Sequence, residues 1–404
     1  MSKMQAADLA VFGGAPAAAA PLHVGRPNIG DRRRLMNRIE QALDRRWLSN
    51  DGPFVREFEE HIADLLGVRH CVAMCNATVA IDVAARALEL RGEVIVPAFT
   101  FVATAHALAW QGITPVFCDI DPRTHNLDPA KVEACITPRT TGIVGVHVWG
   151  RACDPSALRA LADRRGLRLM FDAAHAFLCS HEQRMLGGVG DVEVFSFHAT
   201  KFCNAFEGGA AVTNDDALAG RLRLLRNFGF ADYDTVTHLG TNGKLTEISA
   251  AMGLTSLESV SDFIDANRRN YLRYRAELGE IPGLHVIDYD DREHNNYQYI
   301  VVDVDAAQAG LDRDQMQRVL WTENVMARRY FYPGVHRMEP YRSRAPKSGF
   351  DLPHTESLTG RVLCLPTGTA VGAPEIRAIA DVMRVSVENA EAVREQLTTL
   401  GVTA

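Results

Sequence analysis

The chain has 404 residues, 47% of them hydrophobic, a formal net charge of -7 and a sequence pI of about 6.1. That balance carries no basic tract, which argues against a nucleic-acid partner, and no apolar run approaches the roughly 20 residues of a membrane-spanning helix. The length predicts a larger and a smaller domain. The eight cysteines are scattered and no His set completes a zinc site, so free thiols, no metal and a cytoplasmic setting are expected.

Residues 1–30 are rich in Ala, Gly and Pro and read as an arm. The Ala-rich stretch at 17–20 is too short and too polar-flanked for a signal peptide. Helical spacing of apolar residues follows at 31–47 and 55–66. Strands are then expected at 70–74, 93–97, 114–120, 142–148 and 168–171, alternating with helices at 78–90, 100–110, 128–135 and 155–165. Short apolar strands alternating with amphipathic helices predict an α/β fold: a large three-layer αβα domain with a mostly parallel sheet covered on both faces. Two strands close together, 192–197 and 209–213, break the alternation. One long helix is expected from 246 to about 278, then a strand at 297–304 and helices at 313–323 and 374–400. The division predicted is an arm at 1–30, a large domain at 31–262 and a small α+β domain at 263–404.

In such a sheet, ligands lie outside the carboxyl ends of the strands, and the unusual residues follow those ends. Asn76-Ala77-Thr78 opens a helix, where small and hydroxyl residues leave N–H groups for an anion, or simply supply an N-cap. Asp172 ends an apolar strand. It is either bonded to backbone or paired with a cation such as a pyridinium nitrogen. Lys201 follows the strand 192–197 through Ser196, Phe197, His198, Ala199 and Thr200, and precedes Glu207-Gly208-Gly209. It is either a loop lysine or an amine for Schiff-base chemistry, with the glycines allowing backbone to approach it. The stretch Gly187-Gly188-Val189-Gly190 opens no helix, and neither a dinucleotide fingerprint nor a P-loop is present.

Six segments together resemble the sugar aminotransferases of the DegT/DnrJ/EryC1/StrS group, pyridoxal 5'-phosphate (PLP) enzymes of fold type I. They are Leu48-Ser49-Asn50-Asp51-Gly52-Pro53, Asn76-Ala77-Thr78, Pro97-Ala98-Phe99-Thr100-Phe101, Asp172-Ala173-Ala174-His175, Ser196 through Lys201 with Glu207-Gly208-Gly209, and Gly240-Thr241-Asn242-Gly243-Lys244. The resemblance implies that Lys201 is the Schiff-base lysine and that Asp172 pairs with the ring nitrogen. It implies further that Asn76, Ala77, Thr78 and Ser196 surround the phosphate, that Phe101 stacks on the ring and that His175 lies near the ring hydroxyl. Asn242 is implied to reach the cofactor of a neighbouring subunit, which makes the protein a homodimer with shared active sites. Lys244 stands where many relatives carry Arg. Leu365-Pro366-Thr367-Gly368 replaces the relatives' Leu-Pro-x-His, and Tyr332-Pro333-x-x-His336 matches a segment that touches the sugar nucleotide.

The cofactor carries the hard step as an electron sink while the protein orients and tunes it. The resemblance implies that Asp172 keeps the ring nitrogen protonated. Lys201, displaced by the amino donor, serves as base and acid, and two half-reactions through one site predict ping-pong kinetics. The segments around Lys201 and Glu207-Gly208-Gly209 resemble the branch that aminates carbon 4. The implied reaction moves an amino group from L-glutamate to a dTDP-4-keto-6-deoxyhexose, for natural-product (antibiotic) glycosylation or surface polysaccharide, with His198, Tyr332, His336 and Lys244 as substrate contacts. The rivals are amination of carbon 3 or of a cyclitol, a dehydratase, in which relatives replace the lysine with His, and a non-enzymatic PLP-binding regulator on the same fold.

Overall fold

The computed structural model describes residues 3–344 and 350–401. Seven strands form the central sheet: β1 His70–Met74, β2 Glu93–Pro97, β3 Thr114–Cys118, β4 Thr140–Val146, β5 Arg168–Asp172, β6 Val192–Ser196 and β7 Gly209–Thr213. Their order across the sheet is β1-β7-β6-β5-β4-β2-β3. All pairs are parallel except the two that β7 makes, with β1 and with β6. The close pair of strands expected near 200 is therefore an antiparallel excursion that places β7 between β6 and the edge strand β1.

Both faces of this sheet are covered. Cys71, Ala73, Phe195 and Val212 pack with Phe54, Phe58, Ile62 and Ala250 on one side. Val72, Met74, Val194 and Ala211 pack with Ala80, Ala84, Leu108 and Leu222 on the other. Successive strand residues point to opposite faces, so a strand covered twice must be apolar at every position. That is why these segments show no alternation in the sequence.

A second core surrounds a three-stranded antiparallel sheet of β8 Leu284–Val286, β9 Ile300–Val304 and β10 Val362–Leu365. Leu9 and Val11 of the arm are buried in it beside Tyr271, Met316 and Ile379. Leu22–His23 pairs with Val325–Met326, and the buried amine of Lys3 lies 3.0 Å from the carboxylate of Glu323. The arm thus lies packed against the body of the chain.

Two long helices differ from expectation. The helix expected over 246–278 is two, Glu247–Glu258 and Val260–Leu278, joined at Ser259. The N–H of Ser259 bonds to Ser256 O, a tightened last turn. The expected 374–400 helix breaks at Asn389 into Ala373–Glu388 and Ala390–Thr399. The Asn389 side chain donates to Val385 O at 2.8 Å, competing with the helical ladder. Asp216–Arg226 and Pro353–Thr359 are helices, and β8 and β10 strands, beyond those expected from sequence.

Candidate active site

The carboxyl ends of β1, β2, β4, β5 and β6 lie on one edge of the sheet and deliver Asn76, Phe99–Phe101, His147, Asp172 and Ser196 there. Asp172 is the last residue of β5 and is 6% exposed. One carboxylate oxygen accepts the hydroxyl of Thr104 at 2.7 Å and the other the N–H of Ala174 at 3.1 Å. Since Thr104 gives its proton to Asp172, the hydroxyl of Thr100, 2.9 Å away, must donate to Thr104. Both carboxylate oxygens of Asp172 are therefore hydrogen-bonded and fixed in place.

Lys201 enters the same space from the turn after β6. Its Nζ lies 3.3 Å from the hydroxyl of Tyr299. Burial pushes its ammonium down to about 8, against the opposing pull of Asp172. His175 is buried 4.4 Å, centroid to centroid, from the Tyr299 ring. Its Nδ1 accepts the N–H of Trp149 at 3.2 Å, which leaves the ring proton on Nε2. Burial, and then the charge of Lys201, hold His175 well below its ordinary pKa, so it is a neutral imidazole. Trp149 and Phe331 stack at 5.5 Å centroid to centroid and wall the chamber.

The helix Ala77–Ala87 begins beside it. Asn76 does act as the cap, its side chain accepting the N–H of Val79 at 2.8 Å. Among the described residues no protein acceptor serves the N–H groups of Ala77 and Thr78, the ordinary state of first-turn donors and a ready anion site. Ser196 pairs with Gly209 on β7, and a Cβ on Gly209 would stand 2.5 Å from the Ala77 nitrogen. The close approach that the paired glycines predict is thus to the helix start, and not to Lys201.

The other expected residues divide. Phe101 caps the helix Val102–Trp110, with its ring 55% exposed. With Thr100, Trp321, Arg328, Arg329 and Tyr332 it lines a groove of about 300 Å³. Phe331, which lines the same groove, stacks on His175 at 5.8 Å and so joins groove to chamber. His198 bonds to Thr200 at 2.8 Å and lies 3.4 Å from Glu207. Asn242 is exposed and accepts from Lys244 at 2.7 Å, while the Lys244 ammonium sits 4.6 Å from the Phe228 ring. His336 is fully buried against Phe350, 3.4 Å from Glu356.

Sequence reasoning missed Thr104, Trp149, Tyr299 and Asn28. The buried Asn28 of the arm donates to Phe202 O at 3.0 Å, and Asn204 donates back to Asn28 O at 2.9 Å. It also accepts the N–H of Thr369 at 2.9 Å, tying the loop that carries Lys201 to the second core. Only its flanking Arg-Pro-Asn-Ile-Gly marks it in the sequence.

A depressed lysine amine, a buried hydrogen-bonded carboxylate and two first-turn N–H groups with a Ser hydroxyl are the set of groups that a phosphorylated pyridine aldehyde needs. The pattern of the DegT/DnrJ/EryC1/StrS aminotransferase family matches residues 30–384. The chain belongs to that family. It is an aminotransferase of PLP fold type I, and its cofactor is pyridoxal phosphate. It is 36% identical over 351 residues to a dTDP-4-amino-4,6-dideoxy-D-glucose transaminase of Escherichia coli, covering 86% of this chain and 93% of that protein. A GDP-perosamine synthase of Caulobacter vibrioides is 35% identical over 348 residues, 85% of this chain and 92% of its own length. Among solved structures, DesI in the presence of its TDP-sugar product superimposes with a TM-score of 0.93 at 54% identity, over 97% of this chain and 99% of DesI.

Proposed function

We propose that this aminotransferase moves the amino group of L-glutamate to C4 of a dTDP-4-keto-6-deoxyhexose, giving 2-oxoglutarate and a dTDP-4-amino-4,6-dideoxyglucose type product. The observation that carries the reading is the presence in one chamber of the Lys201 amine, held down to about 8, and the buried, hydrogen-bonded carboxylate of Asp172. Both halves of the family's reaction need that pair. The substrate class is supported by the likeness to the DesI structure and to the Escherichia coli transaminase, and by the groove, where guanidinium groups and aromatic faces suit a nucleotide diphosphate.

Bound pyridoxal phosphate supplies an electron sink that weakens the bonds to the carbon bearing the amino group. The chain does the rest. Asp172 would pair with the protonated ring nitrogen, and Thr104 with Ala174 holds its carboxylate in place for that. The N–H groups of Ala77 and Thr78, with Ser196, hold the phosphate, and Asn76 fixes the helix start that presents them. His175, protonated on Nε2, can donate to the ring hydroxyl oxygen. Lys201, free of the cofactor, takes the proton from the donor's α-carbon and returns it to carbon in the same half-reaction. Phe101 would cover the ring from the groove side. Tyr332 and His198 meet the substrate from the groove and the Lys201 turn, and His336 acts by supporting the Tyr332 segment.

A homodimer completes the site, with Asn242 and Lys244 facing the neighbour's cofactor. The support is the exposed apolar set around Asn242: Phe228, Phe230, Tyr233 and Leu239, the last 78% exposed. We divide the chain at the paired helices Glu247–Glu258 and Val260–Leu278, with the second core as the small domain. We place the reaction in the cytoplasm, which the eight free cysteines support.

Absorbance spectroscopy of the PLP-loaded protein tests the reading. L-Glutamate should remove the visible band of lysine-bound cofactor, and a dTDP-4-keto-6-deoxyhexose should restore it. Lys201→Ala should show neither change. Bleaching by glutamate with restoration only by a 3-keto sugar would overturn the C4 assignment, and turnover by Lys201→Ala would overturn the reading as a whole.

A further inference from the structure

We infer that Tyr299 is a positioning residue for Lys201: its hydroxyl holds the lysine amine at one point in the chamber whenever that amine is not bonded to the cofactor. The inference rests on Lys201 being the reactive amine and concerns what keeps that amine aimed.

The geometry is direct. The Tyr299 hydroxyl lies 3.3 Å from Nζ of Lys201. The ring that carries it is locked from three sides, by His175 at 4.4 Å, Trp149 at 5.4 Å and Tyr330 at 6.2 Å between centroids. Behind it, the single hydroxyl proton of Tyr289 is shared between the carbonyls of Tyr299 and Trp149, at 2.9 and 3.1 Å. The Tyr299 hydroxyl is therefore held by the packing of its ring, on the residue just before β9, whereas Lys201 hangs on a flexible four-carbon stem from the turn after β6. A released lysine loses its covalent tether and regains its rotamer freedom. A fixed partner removes that freedom in advance and keeps Nζ within reach of the carbon whose proton it must move.

A hydroxyl suits the task because it serves both protonation states. It accepts from the ammonium and donates to the amine. Burial holds the Tyr299 phenol well above its ordinary pKa, so it keeps its own proton throughout. The proton balance is simple. One proton leaves the α-carbon of the amino donor, rides on Nζ and returns to carbon, while Tyr299 ends with the proton it began with. The groups facing Nζ are Asp172, which favours its charge, the neutral His175 and the neutral Tyr299. Among these, Tyr299 is the one within hydrogen-bonding distance of Lys201.

Tyr299→Phe tests this, because it keeps the ring and the backbone carbonyl and removes one oxygen. Single-turnover bleaching by L-glutamate should slow at least tenfold, with the KM for glutamate changed less than threefold. The primary isotope effect with α-deuterated glutamate should rise, because the misaimed proton transfer becomes more limiting. A second readout needs no cofactor. In the cofactor-free protein, the pH midpoint for reductive methylation of Lys201, followed by mass spectrometry, should fall, since the bond to the ammonium is the stronger of the two that the hydroxyl makes. An unchanged isotope effect together with an unchanged methylation midpoint would overturn the inference. Loss of bleaching in Lys201→Ala alongside that result would leave the lysine's own role intact. A Lys201→Ala protein that still bleaches would instead remove the foundation on which the inference stands.

Discussion

The hydroxyl of Thr104 donates to the carboxylate of Asp172 at 2.7 Å, joining the helix that follows β2 to the end of β5. The bond both fixes the carboxylate and uses up a lone pair on one oxygen, so Asp172 presents a defined remaining edge to the chamber. Asp172→Asn is close in shape but carries no charge. The variant should bind pyridoxal phosphate and bleach with glutamate at least a hundredfold more slowly, as measured by stopped-flow absorbance. Near-normal bleaching would mean that some other group protonates the ring. Thr104→Val should give a milder loss, about 1 to 3 kcal/mol of stability with a smaller fall in rate.

Gly209 has a different function. A methyl group there would meet the Ala77 nitrogen at 2.5 Å, backbone that cannot yield as a flexible side chain could. Gly209→Ala should push the helix start away from β7 and weaken cofactor affinity at least tenfold, read by titrating the apoprotein with pyridoxal phosphate. It should also cost about 1 to 3 kcal/mol in denaturant unfolding, as overpacking does. Unchanged affinity would show that the phosphate is held elsewhere.

The Lys201 amine predicts a pH dependence with a definite sign. Its folded value is lowered from 10.5 to about 8. The folded apoprotein therefore sheds this proton above about pH 8, while the unfolded chain keeps it to about 10.5. Between those limits the unfolded state binds more protons, so this group's contribution to stability rises with pH and is lost as pH falls through 8. The same titration governs reactivity. The rate at which the apoprotein combines with pyridoxal phosphate should climb through about pH 8 and then level, followed by the growth of absorbance. A plateau already reached near pH 6 would contradict the environment described for Nζ.

Asn28 links the arm, the Lys201 loop and the second core through four hydrogen bonds, to Phe202, Asn204 and the backbone and side chain of Thr369. Asn28→Ala removes three of them and strands buried partners, at a cost of about 2 to 4 kcal/mol to unfolding. Because Lys201 sits one residue before Phe202, the variant should also lose activity at permissive temperature, several-fold in kcat with the cofactor still bound. A stability loss with unaltered kcat would confine Asn28 to a structural role.

Much of this could be read in advance. Strands covered on both faces leave unbroken apolar runs, and β1, β2 and β7 have the limits expected. Lys201, Asp172 and His175 stand just past such runs, which is why their order in the chain was informative. What escaped depends on contacts that sequence distance hides. Tyr299 reads as one more apolar position of a strand, and Thr104 as a helix interior. Each becomes functional only through a partner 98 and 68 residues away. Ser259 and Asn389 look like polar surface positions of continuous helices until their local hydrogen bonds are seen. The helix Asp216–Arg226 did carry a signal, with Asp215 capping Leu218 N–H and Leu218, Leu222 and Leu225 on one buried stripe.

The antiparallel β7 has a consequence for how the protein is made. The proposed phosphate cradle would draw on Asn76 to Thr78 from early in the chain, but Ser196 and Gly209 reach them only after β7 has inserted beside β1. Cys75 then completes its own pairing with Gly243 O at 2.9 Å. A nascent chain halted before residue 243 has every strand of the sheet but no finished seat for the cofactor. Pyridoxal phosphate should therefore bind late in biogenesis, to the nearly native chain alone. In a cell it would act as a folding ligand, with each tenfold excess over its Kd adding about 1.4 kcal/mol to the stability of the protein it completes.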